Sequence, residues 1–168
     1  MGFKLEHILV PVDFSAVSDV VLDRAIALAA DYQADVTLLH AIEPPFFGFD
    51  DAQEAKARGE AGERLRELVQ GRVRELRKLH AWRGVIVTET VVGVPAEEIV
   101  DAIDRLDAST VVIGLKPHSA LSHAVRPSTT DRVIRRARCP IVIVRAPSWA
   151  HAEPEAEVDP AFDWGLAA

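Results

Sequence analysis

Five short apolar runs, rich in β-branched residues, are spaced along the chain with helix-like segments between them. They are "HILVPVD" (7–13), "DVTLLHAI" (35–42), "VIVTETVV" (85–92), "STVVIG" (109–114) and "CPIVIV" (139–144). Strands with one wet face alternate apolar and polar residues. Continuous apolar runs belong instead to a parallel sheet covered on both faces. Strand and helix alternate throughout, so the sequence predicts an α/β fold: one doubly wound parallel sheet with helices on both faces.

The intervening segments support that reading. In 18–33, Val21, Ala25, Leu28, Ala29 and Tyr32 recur at helical spacing, with Ser18 placed to cap the start. "EPPFFGFDD" (43–51) is a loop, broken by two prolines and a glycine. Residues 52–81 carry an apolar stripe of Leu65, Leu68, Val69, Val73 and Leu76, with Glu60 and Arg64 as an i,i+4 pair. Gly59 and Gly62 weaken the first half, so the firm helix is expected from near residue 60. In 93–107, Pro95 suits a first turn, Glu97 and Glu98 suit the positive helix end, and Ile99, Ile103 and Leu106 face inward. A fourth helix is expected over 128–138.

With 168 residues the chain can bury a full core, and no apolar run approaches a membrane span. The start, "MGFKLEHILVPVD", lacks the pattern of a secretory leader. The net charge of −7 argues against general nucleic-acid binding and against an anionic membrane surface. One basic cluster stands out: Arg132, Arg135, Arg136 and Arg138. Such cations either complement the end of a helix or form a patch for an anion or a partner. The lone cysteine, Cys139, rules out an internal disulfide and fits a reducing, cytoplasmic setting. After Val144 the composition turns to Ala, Pro and Glu. Residues 1–145 therefore read as the domain and 146–168 as a disordered acidic tail. The tail's Trp149, Phe162 and Trp164 are costly aromatics for a spacer, and suggest docking on a protein partner or on the domain's own surface.

In open α/β sheets, ligands bind beyond the carboxyl ends of the strands, where strand order reverses. Three strand ends are informative: Pro11-Val12-Asp13, His40-Ala41 and Ile113-Gly114. Asp13 either accepts bonds from a ribose hydroxyl or shapes the turn into the next helix. The stretch after Gly114, "LKPHSALSHAVRPSTTDRV", has the position of a phosphate loop, and Ser128 with Asp131 has the spacing of a capping box. His118 and His123 lie in the same loop without the further ligands a metal needs. No CxxC, HExxH or Ser-His-Asp order is present.

The segments "HILVPVDFS", "DVTLLHAI", "GVPAEEIVDAI", "STVVIG" and "PSTTDRVIRRARCPIVIV", in this order, resemble a universal stress protein domain over about residues 5–145. The resemblance implies a five-stranded sheet of order 3-2-1-4-5, a cytosolic homodimer paired through strand 139–144, and a regulatory or protective role in stress survival. ATP-binding members carry a Gly-x2-Gly-x9-Gly-Ser/Thr loop. Laid on this chain, its first glycine is Gly114, its second falls on Pro117, and its third on Pro127, followed by Ser128 and Thr129. Pro11, Val12, Asp13 and Ala41 match the adenine side, and Ile113 precedes the loop. The resemblance thus implies ATP or AMP as the ligand, while the prolines weaken that implication. Each proline removes a backbone N–H and fixes φ near −65°. A hydrogen bond to a charged group is worth roughly 1.5–3 kcal/mol. Losing two costs about 3–6 kcal/mol, on the order of 10²–10⁴ in affinity. The expectation is a non-enzymatic module whose nucleotide pocket is weak or vacant. The alternative is an ATP-binding sensor with slow hydrolysis.

Overall fold

The computed structural model describes residues 4–80, 82–115 and 128–145. Among the described residues strands and helices alternate: β1 (His7–Pro11), α1 (Ala16–Tyr32), β2 (Asp35–Ile42), α2 (Asp51–His80), β3 (Ile86–Val92), α3 (Pro95–Arg105), β4 (Thr110–Leu115), α4 (Thr129–Arg136) and β5 (Ile141–Arg145). All neighbouring strands are parallel, in the order β3-β2-β1-β4-β5, as expected. His7 of β1 pairs with Asp35 of β2, and Ile8 pairs with Thr110 of β4.

Alternate strand residues build two cores. Ile8, Val10, Val36, Leu38 and Val112 pack under α1 and α2, with Leu22, Ile26 and Leu65 from the helices. Leu9, Leu39, Val111 and Ile113 pack on the opposite face with Ile99 and Ile103 of α3 and Val133 of α4. Both faces of the central strands are dry, which is why their sequences show no polar alternation. The edges differ: Val87 of β3 and Val142 and Ile143 of β5 are exposed, since a terminal strand has a neighbour on one side only.

Several boundaries depart from expectation. Helix α1 starts at Ala16 behind Ser15, and Ser18 is buried inside it, not at its cap. Tyr32 sits in the last turn and is exposed, beyond the reach of the core. Helix α2 runs unbroken through Gly59 and Gly62. Its start is fixed by a reciprocal pair: Gln53 N–H donates to Asp50 Oδ1 at 2.8 Å, and Asp50 N–H donates to Gln53 Oε1 at 3.0 Å. Burial of Ala61 and Leu65 then outweighs the roughly 1 kcal/mol penalty of each glycine. Glu60 pairs with Lys56, not Arg64, which turns to an aromatic ring described below. The last strand begins at Ile141, two residues later than expected. Pro140 has no N–H for the ladder, but its carbonyl accepts from Val111 N–H at 3.1 Å and from Thr110 Oγ1 at 2.9 Å.

Candidate functional site

The sheet order reverses between β1 and β4. The chain leaves β1 for α1 on one face and reaches β4 from α3 on the other. The carboxyl ends of these strands therefore splay apart and leave a crevice. A cleft of about 430 Å³ opens there. Pro11, Val12, Asp13, Ala41, Ile113, Gly114, Ser128 and Thr129, the eight residues singled out from the sequence, all lie on its wall. Thr130 follows the two expected residues of the α4 start; the rest of the lining was not anticipated. Leu39 shares strand parity with Ala41, Ile99 stands one helical turn after Pro95, and Val17 and Val21 come from α1. Strand parity and the i,i+4 rule are the signals that could have found them.

The β1 exit is held tightly. Val12 N–H donates to Leu39 O at 2.9 Å, extending the ladder one residue past the strand. Asp13 Oδ1 then accepts from Ser15 N–H at 3.0 Å, Ser15 Oγ at 2.6 Å and Ser18 Oγ at 3.2 Å. Asp13 thus shapes the turn into α1, and Ser18 contributes from inside the helix. Between Asp13 and Ser15, Phe14 adopts φ +58°, a left-handed conformation that costs a non-glycine residue about 1–2 kcal/mol. Packing holds it there. Its ring lies 4.4 Å from the His40 ring, centroid to centroid, and the Arg64 guanidinium stands 4.1 Å over its face. His40 Nδ1 lies 2.9 Å from Val12 O; a carbonyl only accepts, so the proton sits on Nδ1. His40 stands behind the β1 exit and not on the cleft wall.

On the β4 side, Gly114 permits close approach of a helix. A Cβ there would lie 2.9 Å from Val17 Cγ1 and 3.1 Å from Val21 Cγ2. Its carbonyl accepts from Thr130 Oγ1 at 2.9 Å, fastening α4 to the end of β4. Helix α4 opens with the expected capping box: Asp131 N–H donates to Ser128 Oγ at 3.1 Å, and the Asp131 carboxylate accepts from Ser128 N–H at 3.2 Å. The first turn of α4 therefore borders the cleft at Ser128, Thr129 and Thr130 and brings the positive end of the helix dipole to it. Pro117, His118, His123 and Pro127 lie outside the described residues.

The cleft is an apolar slot with polar groups confined to its two rims, Asp13–Ser15–Ser18 and Ser128–Thr130. That division suits a flat, weakly polar ring joined to a hydroxylated and anionic part. Cys139 stands apart, packed beside the α3–α4 core, where burial, and to a smaller degree the Asp104 carboxylate, push its thiol pKa up. Among the described residues, no helix is long and apolar enough to cross a membrane.

Residues 4–145 match the family model described as "Universal stress protein family". A universal stress protein of Methanocaldococcus jannaschii is 32% identical over 145 residues, covering 84% of this chain and 83% of the relative. A universal stress protein solved in complex with cAMP aligns at a TM-score of 0.66 with 22% identity, over 84% of this chain and 97% of that one. One from Archaeoglobus fulgidus in complex with dAMP aligns at a TM-score of 0.54 with 23% identity, over 83% and 98%. At such identities the two solved structures speak for the fold.

Proposed function

The chain belongs to the universal stress protein family, and from that premise we propose that it is a cytosolic, homodimeric module of stress regulation or protection that binds and does not catalyse. Residues 1–145 form the working domain. Its cleft takes the adenosine part of an adenine nucleotide and holds the phosphates weakly. The observation that carries this reading is the convergence of Pro11, Val12, Asp13, Ala41, Ile113, Gly114, Ser128 and Thr129 on one apolar slot. The base lies between Leu39, Ala41 and Ile99, the ribose beside Asp13, and the first phosphate near the α4 N-terminus. The cAMP and dAMP carried by two fold neighbours support a ligand with a single phosphate. Loss of two amide donors at Pro117 and Pro127 weighs most on the outer phosphates.

Calorimetry with adenosine, AMP and ATP tests this. Adenosine and AMP bind at least as well as ATP, and ATP shows no saturation below roughly millimolar concentration. The double substitution Pro117→Gly and Pro127→Gly then raises ATP affinity while leaving adenosine unchanged, because it returns two amides. Tight ATP binding by the natural chain overturns the argument. So does a double variant that gains nothing for ATP although adenosine binds.

A further inference from the structure

Among the described residues, α3 offers two carboxylates, Glu97 and Asp104, to the four arginines of α4 and its exit. Glu97 of α3 serves two: Arg132 at 3.1 Å and Arg136 at 3.9 Å. Asp104 stands 3.9 Å from Arg138, whose side chain remains largely exposed. Arg135 and Arg145 are exposed and make no ion pair with any described residue. Ile134, between Arg135 and Val133, leaves 43% of its surface in water. The outer side of α4 and β5 therefore carries a run of basic groups with an apolar centre, from Arg145 level with the start of α4 to Arg135 and Arg138 at its far end, on a protein of net charge −7.

The opposite chemistry follows directly in the chain. Residues 146–168 hold Glu153, Glu155, Glu157, Asp159 and Asp163, with no lysine or arginine, and they also hold Trp149, Phe162 and Trp164. This segment starts one residue after Arg145, at the end of β5, the strand that α4 leads into. Helix α4 has eight residues, about 12 Å of axis. Twenty extended residues reach roughly 65 Å, so the segment spans the surface several times over.

We propose that residues 146–168 dock in cis on the outer face of α4, with their carboxylates on Arg135, Arg138 and Arg145 and an indole ring over Ile134 and a neighbouring guanidinium. Arginine suits this partner because it pairs with carboxylates and stacks on aromatic faces with the same planar group. Tethering supplies an effective concentration in the millimolar range, so modest contacts suffice. The exposed edge of β5 is left for a second copy. The α4 patch is then covered by the chain itself and is released by high salt or by a competing acidic partner.

The test uses the full chain labelled with 5-fluorotryptophan and followed by fluorine NMR, without nucleotide. Trp82 is buried and reports folding, while Trp149 and Trp164 report docking. At low salt at least one of these two indoles is shielded from solvent, and its shielding is unchanged on tenfold dilution. The pair Arg135→Glu and Arg145→Glu leaves the Trp82 signal in place and lowers the docked-to-free ratio about tenfold, since each exposed arginine–carboxylate contact is worth up to severalfold. Two fully exposed indoles in the natural chain overturn the proposal. So does shielding that survives the charge reversals, or shielding that dilution abolishes, which assigns the surface to a second copy.

Discussion

Replacing Gly114 with alanine separates two reasons for a glycine at the end of β4. If phosphate approach were the reason, alanine would weaken ligand binding and leave the empty protein untouched. The packing gives a different expectation. The added Cβ would lie 2.9 Å from Val17 Cγ1 and 3.1 Å from Val21 Cγ2. Both valines are buried, and a helical valine has one favoured rotamer, so neither side chain turns away cheaply. Helix α1 must shift instead. Overpacking of this kind costs about 1–3 kcal/mol. The lower chain entropy of alanine in a strand returns about 0.5–1 kcal/mol. The net loss is near 1 kcal/mol, or about 2–4 °C in Tm for a domain of this size. Urea denaturation of Gly114→Ala, Val17→Ala and the double variant measures it. Removing Val17 Cγ1 makes room for the new methyl, so the double variant should be more stable than the sum of the single effects by about 1 kcal/mol. Unchanged or increased stability of Gly114→Ala, or simple additivity in the cycle, refutes the packing account.

Two further expectations concern the β5 region. Ile143 is 44% exposed on the terminal strand, so Ile143→Lys should fold normally while converting the proposed dimer to monomer in light scattering; a dimeric variant, or a monomeric natural chain at micromolar concentration, counts against pairing through β5. Burial raises the pKa of the Cys139 thiol, so the fold favours its protonated form. Its labelling near neutral pH should be severalfold slower than that of a free cysteine, and its contribution to stability should fall as pH rises through the thiolate range; fast labelling at pH 7 contradicts this.

The apolar runs specified the sheet because the central strands are dry on both faces, and a dry strand must be written in apolar residues. Six of the eight cleft residues were legible for a related reason, since strand ends at a topological switch point are the default ligand site, while Ser128 and Thr129 were legible from the position of the phosphate loop before α4. What escaped the sequence was decided by tertiary contacts. Ser15 and Ser18 are equally good caps on paper, and the Asp13 carboxylate draws both into one turn. Nothing local predicts a left-handed Phe14; His40 and Arg64, distant in sequence, hold it there. The unbroken path of α2 through two glycines likewise depends on its burial against α1 and the sheet. Edge exposure of β3 and β5 follows from strand order, which the runs alone do not contain. Pro117 and Pro127 carry a chemical argument from the sequence, but they fall outside the described residues.

The placement of β1 has a bearing on how the molecule comes to exist. Strand β1 is made first, pairs with β2 within some thirty residues, and waits for β4, which is about a hundred residues away. The closing stitch is equally distant: Ser109 Oγ accepts from His7 N–H at 2.9 Å. An emerging chain thus assembles β1, α1, β2 and β3 as an open half-sheet, with one side of β1 still unpaired. Long-range pairings of this kind are slow and leave edges exposed to other chains. The cleft straddles this seam, taking walls from the β1–α1–β2 segment up to Ala41, from Pro95 and Ile99 of α3, and from Ile113 onward. No half-built chain contains it. A ligand held there is selective for finished molecules, and during synthesis it rewards only the last step.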